Sequence, residues 1–417
     1  MNLVLIHSKY FNSWEALGLG YIGAYIKKHH PDLNITFYQG CFDDDEKIIS
    51  GCAKADIVAF SCTTPTFPYT QKLAKGIKAI NPQSHIVVGG YHPSAAPEAS
   101  LVDHIDQVVT GEGESALSEI IKGNREKTIQ GRAMQFDELP WPDRELIQND
   151  RNIQVAYNDN QKRITSFQSH RGCPFMCRYC LDGFYKVLYE NNRKATTRYR
   201  SVTDLLDEID FVVDKYQLDL IKFSDPTWNT KIDWVVDFCK EKIKRKIEIP
   251  FYPNMHATLC SEEMIALMAD AGCYEIALGV ESGSPKILQQ IGKGTTVKTI
   301  TRAVGWAKKY GLVVRGYFIL GMPDESNEDL KMTEQLAESL ELDEYGFSIL
   351  CPYPGTQMYD KDKFHDVNWE DADEYSNNFW KTNHLSNQEL KDWQKYLTDK
   401  FKEKLTWHNR AIGHGVQ

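Results

Sequence analysis

Short apolar runs alternate with amphipathic segments along the first 125 residues of the chain. Asn2–His7 and Asp56–Cys62 are apolar over most of their length, which favours strands buried on both faces of a sheet. The segments between such runs repeat apolar residues at helical spacing, as in Ala16–Lys28. This alternation predicts a doubly wound α/β domain with a parallel sheet over residues 1–125. The other elements predicted there are strands at Asn34–Tyr38, His85–Gly90 and Gln107–Thr110, and helices at Tyr69–Ile80 and Ser115–Lys122.

A polar, proline-bearing stretch over residues 126–163 interrupts the alternation and is predicted to connect two domains. Strand–helix alternation resumes over residues 164–360, and its six steps predict a partial (β/α)6 barrel. Residues 361–417 form an aromatic and charged C-terminal extension, and its last half is predicted to be helical. The barrel strands are predicted at Ile164–Gln168, Leu218–Ser224, Pro250–Asn254, Glu275–Val280, Val313–Leu320 and Glu344–Leu350, with helices at Thr203–Lys215, Trp234–Lys242, Glu262–Ala271, Thr296–Tyr310 and Asn327–Ser339.

Charge and hydropathy narrow the class of protein. The formal net charge of −10 argues against a nucleic-acid partner, which favours a basic surface. The sequence lacks the run of about 18 apolar residues that a membrane span needs, and its start does not resemble a signal peptide. We therefore expect a cytoplasmic protein whose ten cysteines stay reduced. Seven of them are scattered singly, as small buried hydrophobes would be: Cys41, Cys52, Cys62, Cys239, Cys260, Cys273 and Cys351.

The other three cysteines, Cys173, Cys177 and Cys180, fall within eight residues in the spacing C-x3-C-x2-C, just after the first predicted barrel strand. Thiolates are soft ligands that suit iron–sulfur clusters or zinc. Three thiolates on a [4Fe–4S] cube leave one iron open, as catalytic metal sites require. Zinc usually needs a fourth protein ligand, and none follows at the expected interval. The motif therefore favours an iron–sulfur cluster, in a loop that Gly172 allows to turn sharply.

This spacing, with the aromatic residue Tyr179 before the last cysteine and a (β/α)6 barrel around it, resembles the radical S-adenosylmethionine (SAM) superfamily. The resemblance implies that the open iron binds the amino and carboxylate groups of SAM. It also implies that an electron from the cluster cleaves SAM to methionine and a 5′-deoxyadenosyl radical, which abstracts hydrogen. An electron donor of the flavodoxin or ferredoxin type would be a partner.

Three downstream segments resemble the SAM-contacting elements of that superfamily. Asp225 stands where a Gly-Gly-Glu often holds the SAM amino group; the sequence departs from that pattern, and Asp225 could equally be a helix N-cap. Glu281 resembles a ribose contact, because a carboxylate can accept hydrogen bonds from both ribose hydroxyls. Gly321 resembles the element beside the adenine, where glycine permits close approach. The candidate SAM-contacting residues are Tyr179, Ser224, Asp225, Glu281, Ser282, Ile319 and Gly321.

The first domain resembles the Rossmann-like domain of the cobalamin-binding radical SAM subfamily, and this resemblance implies cobalamin at the carboxyl ends of its strands. The D-x-H-x-x-G signature of other cobalamin domains is missing, since Asp103-His104 lacks its spacing. A structural module with an empty site is the alternative. His92 could face the ligand or be a half-buried loop histidine. The candidate rim residues are Ser61, Thr63, Thr64, Gly89, Gly90, His92, Gly111 and Gly113.

The subfamily most often transfers a methyl group to an unactivated carbon, using one SAM to methylate cobalamin and a second to generate the radical. We therefore expect a small-molecule substrate held between the two domains. The same architecture also supports cyclisation, rearrangement and oxidation. An empty first domain would suit a cobalamin-free enzyme, including one that transfers the 3-amino-3-carboxypropyl group of SAM. The alternative that is not an enzyme is a non-catalytic iron–sulfur sensor, although a sensor would not need the SAM-contacting residues.

Overall fold

The computed structural model describes residues 1–10, 12–189, 197–364, 366–375 and 377–406. Its first half is a six-stranded parallel sheet in the order β2-β1-β3-β4-β5-β6. The strands are β1 (Asn2–His7), β2 (Asn34–Gln39), β3 (Ile57–Ser61), β4 (His85–Gly89), β5 (Gln107–Thr110) and β6 (Thr128–Gln130). The helices are α1 (Leu17–His29), α2 (Asp45–Gly51), α3 (Phe67–Ile80), α4 (Tyr91–Ala95), α5 (Pro97–Ser100) and α6 (Gly113–Ile121).

Each face of this sheet carries its own hydrophobic core, which confirms the predicted doubly wound α/β class. Alternate residues of β1 enter opposite cores, with Leu3 and Leu5 in one and Val4 and Ile6 in the other. Because both faces are covered, the inner strands β1, β3 and β4 are apolar over most of their length rather than alternating. β6 lies in the stretch predicted as a connection, and its single buried residue, Ile129, is too weak a pattern to predict a strand.

The connection between the two halves is held by buried polar groups. The Arg144 guanidinium donates to Asn149 Oδ1 at 2.7 Å and to Glu208 Oε1 at 3.0 Å. Both ends of the Arg144–Glu208 ion pair are almost fully buried, so losing either partner would strand a charge away from water. The connection ends in α7 (Asn149–Asn160), whose buried face includes Asn149, Asn152 and Ile153. Apolar periodicity could not predict a helix that buries two asparagines.

The second half is the predicted partial barrel of six parallel strand positions. β11 and β12 together occupy one of these positions. They are separate strands because Pro253 between them lacks the N–H that a continuous strand would donate. The strands are β7 (Ile164–Phe167), β8 (His170–Arg171), β9 (Arg198–Tyr199), β10 (Leu220–Phe223), β11 (Phe251–Tyr252), β12 (Asn254–Met255), β13 (Glu275–Glu281), β14 (Val313–Leu320) and β15 (Glu344–Ile349), of which β8 and β9 form a separate antiparallel pair. The helices are α8 (Asp182–Leu188), α9 (Val202–Tyr216), α10 (Ile232–Lys244), α11 (Glu262–Asp270), α12 (Pro285–Ile291), α13 (Val297–Lys309) and α14 (Asn327–Leu340).

Both edge strands of the barrel are covered by other parts of the chain. On β7, Ser166 donates its N–H to Glu15 Oε2 at 2.8 Å, so a loop of the first domain satisfies that edge. On β15, Tyr345 bridges to Leu405 of the C-terminal extension. The extension contains α15 (Lys361–Phe364) and α16 (Asn387–Lys400), and the rest of the helix predicted near the C-terminus lies outside the described residues. Within the described ranges, every helix is too short or too polar to cross a membrane.

Candidate functional site

The three clustered cysteines line one pocket of about 190 Å³ at the carboxyl ends of the barrel strands. The chain reaches Cys173 through Gly172, whose φ of +85° is the left-handed conformation that glycine adopts without strain. Helix α8 then begins two residues after Cys180. The other lining residues used below are Tyr179, Asp182, Thr227, His256, Glu281 and Lys293.

The thiols suit a cationic cluster by their number, their type and their surroundings. Burial raises the pKa of Cys177 to about 11 and the pKa of Cys180 well above its ordinary value. A thiolate in this pocket is therefore costly until a metal centre compensates its charge. Among the residues that the structure describes, no three His, Cys, Asp or Glu side chains are arranged to hold a metal ion. The fit to a cluster thus rests on the shared pocket and on the donor set.

Glu281 brings a carboxylate into the same pocket. It ends β13 with a φ of +64° beside a register shift between β13 and β14, a conformation that costs a non-glycine residue energy. Its Oε1 accepts hydrogen bonds from the Tyr179 hydroxyl at 2.9 Å and from Lys293 Nζ at 2.5 Å. Lys293 also donates to the Gly279 carbonyl at 3.0 Å. The predicted pair Glu281 and Tyr179 are thus in contact, and Lys293 joins them.

We expect Glu281→Ala to weaken SAM binding about 10- to 100-fold while leaving the iron content intact, because a hydrogen bond to a charged group contributes about 1.5–3 kcal/mol. Equilibrium dialysis of cluster-loaded protein with labelled SAM measures the effect. Glu262→Ala, which removes a glutamate paired with Lys309 on the protein surface, is the control. An unchanged dissociation constant in Glu281→Ala would remove this residue from the site.

Sequence reasoning missed Lys293 and His256. Lys293 lies between Gly292 and Gly294, both with positive φ, in the turn that follows α12. Two glycines around one lysine were the available signal. His256 follows β12, stacks on Phe175 at 4.1 Å, and its Nδ1 has no hydrogen-bond partner among the described residues although the ring is buried. Its place just after a barrel strand was the signal, because barrel chemistry collects there.

The structure supports neither predicted role of Asp225. Its carboxylate is fully buried outside the pocket lining, and it accepts the N–H of Ser169 and the N–H of His170, both at 2.9 Å. The next helical turn starts after Thr227 rather than after Asp225, and the Thr227 side chain makes no cap hydrogen bond there. Asp225 therefore holds the approach to the cluster loop. The lining residues at this strand end are Pro226 and Thr227, and the Thr227 hydroxyl lies 3.8 Å from Cys173 Sγ.

The other candidate SAM contacts differ in whether they lie near the pocket. Ile319 shares its face of β14 with Tyr317, a pocket-lining residue, because side chains alternate along a strand. Ser282 points elsewhere, with its hydroxyl 3.1 Å from Thr333 Oγ1 in a buried pair. Ser224 likewise donates to the Phe167 carbonyl at 3.1 Å. Gly321 has a φ of +93°, and its carbonyl accepts the indole N–H of Trp380 at 2.6 Å. Gly321 thus anchors the C-terminal extension to the barrel.

Glu325 lies fully buried beneath the turn at Gly321 and accepts the N–H groups of Gly321 and Met322. Burial raises the pKa of Glu325 to about 8. The unfolded chain ionises this group above a pH of about 4.3, whereas the folded chain keeps the proton until about pH 8. The free energy of unfolding therefore falls as pH rises through this window, by up to about 1.4 kcal/mol per pH unit.

We expect Glu325→Gln, which mimics the neutral acid, to be more stable than the wild type at pH 8 by more than it is at pH 5. Urea unfolding at the two pH values measures the difference. Glu328→Gln replaces an exposed glutamate in the same segment and should show no such gain. An equal effect of Glu325→Gln at both pH values would contradict the raised pKa.

The rim of the first domain combines hydroxyl side chains with glycines at positions where neighbouring atoms leave no room for a side chain. A Cβ on Gly90 would lie 2.4 Å from the Cys62 carbonyl oxygen, and a Cβ on Gly111 would lie 2.4 Å from the Tyr189 hydroxyl. Gly113 packs on Ile22 in the same way. These glycines also leave the carboxyl ends of β4 and β5 without side chains. Ser61, Thr63 and Gly89 stand partly exposed along the same edge, which suits a large flat ligand.

His92 does not belong to that exposed edge. It is 5% exposed, stacks on Phe67 at 4.4 Å, and shares a hydrogen bond of 3.2 Å between its Nδ1 and Thr64 Oγ1. Burial lowers the pKa of His92 to about 4, so the ring is neutral. His92 is therefore buried rather than half-buried, and its contact with a ligand stays a prediction. The exposed rim residues fit a corrinoid held by the sheet edge, and the described contacts of His92 are with Thr64 and Phe67.

The rim and the cluster pocket meet at aromatic side chains. Tyr91, which follows the rim residue Gly90, packs edge-to-face on Tyr185 of α8 with ring centroids 5.4 Å apart. The Tyr185 hydroxyl also lies 3.4 Å from Ser94 Oγ. Helix α8 begins two residues after Cys180, so the two candidate cofactor sites face each other across one helix.

Comparison with known proteins agrees with this division. The sequence model of the radical SAM superfamily matches residues 167–337, and that of the B12 binding domain matches residues 4–121. The chain is 29% identical to an uncharacterised methyltransferase of Pyrococcus horikoshii over 82% of this chain and 77% of that protein. It is 25% identical to the anaerobic magnesium-protoporphyrin IX monomethyl ester cyclase of Rubrivivax gelatinosus over 86% of this chain and 69% of that protein.

Among solved structures, the fold is similar to that of TsrM from Kitasatospora setae, a radical S-adenosylmethionine methyltransferase solved with cobalamin and a [4Fe–4S] cluster bound. The TM-score is 0.69 at 16% identity, and the match covers 86% of this chain and 76% of that chain. At this identity the likeness concerns the fold alone. It places the sheet domain and the partial barrel in the same overall architecture.

Proposed function

Because the chain belongs to the radical SAM superfamily, in the group that carries a B12-binding domain, we propose that it transfers a methyl group from SAM to an unactivated carbon of a small molecule. The cofactors of these two domains are a [4Fe–4S] cluster, SAM and cobalamin. The observation that carries the proposal is the single pocket that contains three thiols and the Glu281 carboxylate, one helix away from the rim of the first domain.

Each part of the pocket has a role in this proposal. Cys173, Cys177 and Cys180 would hold the cluster, and Glu281 with Tyr179 would orient the SAM ribose by accepting and donating hydrogen bonds. Lys293 places a positive charge beside Glu281 in the pocket that the thiols line, where a carboxylate of a ligand can bind. When bound, the cluster supplies the electron that cleaves SAM, and cobalamin carries the methyl group. The protein orients these groups and excludes water.

The substrate would enter where the two domains meet. Tyr91 and Tyr185 supply aromatic surface there, and Tyr91 is 40% exposed. Pockets between domains commonly combine such apolar surface with a few polar groups. Asp182 is the polar group at this point, since it lines the cluster pocket. The electron would come from a donor of the flavodoxin or ferredoxin type.

The relative from Rubrivivax gelatinosus favours a second candidate, radical cyclisation, because that protein is named as a cyclase and matches most of this chain. Both candidates use the same SAM cleavage. They differ in the fate of the methyl group, because cyclisation leaves the methyl group of SAM on methionine.

The test is to supply anaerobically reconstituted protein with hydroxocobalamin, SAM and a low-potential reductant in the absence of substrate. Methyl transfer predicts retained corrinoid absorption after desalting and one S-adenosylhomocysteine per bound cobalamin. Cyclisation predicts 5′-deoxyadenosine without S-adenosylhomocysteine. Methylthioadenosine as the only product would instead indicate transfer of the aminocarboxypropyl group, and it would defeat both candidates.

A further inference from the structure

The loop that joins β5 to α6 carries two glutamates whose carboxylates pair with arginines of the barrel domain. Glu112 Oε2 accepts from Arg171 at 3.0 Å, from Arg198 at 3.0 Å and from the Met134 N–H at 2.8 Å. Glu114 Oε1 accepts from the other arm of Arg171 at 2.7 Å. We call these four charged residues, Glu112, Glu114, Arg171 and Arg198, the clasp.

The clasp neutralises two like charges that lie opposite each other in the barrel domain. Arg171 and Arg198 are directly opposite partners in the two-residue ladder of β8 and β9. Like charges at such positions destabilise a strand pair unless other groups neutralise them. The two glutamates of the first domain provide that neutralisation, with two carboxylates for two guanidiniums.

The clasp is buried, which makes its geometry specific. The side chains of Arg171 and Glu112 are 11% and 12% exposed, and those of Arg198 and Glu114 are 4% and 2% exposed. The Arg171 guanidinium also lies over the ring of Tyr21 at 5.0 Å. Water therefore screens these charges little, and each arginine fork selects one arrangement of its carboxylates.

The same loop also holds the far end of the cluster segment. Arg171 precedes Gly172 and Cys173, so the clasp holds the start of the segment 171–189 that contains all three clustered cysteines. At its other end, the Tyr189 hydroxyl accepts the Glu112 N–H at 2.9 Å. One loop of the first domain thus fixes both ends of the segment that would carry the cluster.

We propose that Glu112 and Glu114 are positioning residues that set the cluster segment against the rim of the first domain and couple the two cofactor sites. The proposal rests on the proposed function in assigning cobalamin to the rim. Any ligand that shifts the β5–α6 loop must also shift the start of the cluster loop, because Arg171 has both of its glutamate partners on that loop. Coupling of this kind is reciprocal between the two sites.

The first measurement needs neither cobalamin nor substrate. Glu112→Gln/Glu114→Gln is compared with the wild type and with Glu119→Gln, a matched change on the exposed side of α6 where Glu119 pairs with Lys122. We expect full iron content and a positive shift of the cluster midpoint potential in the double variant only, because an unneutralised Arg171 beside Cys173 favours the reduced cluster. Redox titration monitored by electron paramagnetic resonance measures the shift. An unchanged potential and spectrum would overturn the proposal.

The second measurement tests the coupling. The dissociation constant of hydroxocobalamin is determined for cluster-loaded and cluster-free protein. We expect the two values to differ at least about fivefold in the wild type and in Glu119→Gln, and to become equal in the double variant. The same ratio in wild type and double variant would overturn the coupling.

The outcomes separate this inference from the proposed function. Wild-type protein that retains no hydroxocobalamin would defeat cobalamin-dependent methyl transfer, and the potential titration would still decide the role of the clasp. If the double variant does not fold, Glu114→Gln alone takes its place, because it removes one partner of Arg171 and leaves Glu112 between the two arginines. The same shift in potential, smaller in size, is expected.

Discussion

Replacing Cys177 with alanine is expected to abolish both cluster assembly and SAM cleavage. Cys177 lines the pocket with Cys173 and Cys180, and two thiolates cannot replace three in holding three irons of a cube. The side chain is only partly buried, so the change costs the fold little and isolates the chemistry. Iron and sulfide analysis after anaerobic reconstitution measures assembly, and 5′-deoxyadenosine formation with dithionite and SAM measures cleavage.

Cys41→Ala is the matched control, since Cys41 is also partly buried but lies in the first domain, remote in sequence from the motif. It should keep wild-type iron and wild-type cleavage. Full cleavage in Cys177→Ala would defeat the mechanism. Wild-type protein that takes up zinc and no iron would defeat the cluster assignment itself.

The strands of both domains and the cysteine pocket could be predicted because the physics behind them is local. Strands buried on both faces are apolar along most of their length, so β1 and β3 stand out by composition. The cysteine spacing is equally local, because three ligands within eight residues can reach one cluster from a single loop.

Side-chain direction was the main limit of prediction. The resemblance to the superfamily suggests Asp225 as a SAM contact, yet its carboxylate turns toward the N–H groups of Ser169 and His170. The residues around Asp225 in the sequence do not predict those two hydrogen-bond donors, because the donors are more than fifty positions away in the chain. The pocket is lined at this strand end by Pro226 and Thr227, whereas the Asp225 carboxylate lies outside the lining.

Polar contacts across the two domains were equally hidden from sequence reasoning. Gly111 and Gly113 are predicted rim residues, but the glutamates beside them, Glu112 and Glu114, pair with Arg171 and Arg198. Such pairs depend on how the two domains pack against each other, and hydrophobic periodicity within either domain does not predict that packing. The same holds for Lys293, which reaches Glu281 from the turn after α12.

Asp225→Ala is expected to destabilise the barrel by roughly 3–5 kcal/mol and to reduce the retained iron several-fold. The change leaves two backbone N–H groups and the Ser169 hydroxyl buried without their acceptor, and each such loss costs about 1–3 kcal/mol. The iron falls because His170, one of the released residues, lies three positions before Cys173. Urea unfolding and iron analysis on the same preparation measure the two effects.

Asp219→Ala is the control for this change, because Asp219 also accepts a backbone N–H beside β7, from Arg163 at 2.7 Å, but it is exposed to water. Water can replace its carboxylate, so the loss there should be about 1 kcal/mol or less, with iron unchanged. Asp225→Asn should fall between, since one amide oxygen can still accept but its NH2 group faces donors. If Asp225→Ala kept its stability and its iron while SAM affinity fell, the carboxylate would be a ligand of SAM, as its position in the sequence first suggested, and the anchoring role derived from its hydrogen bonds would be wrong.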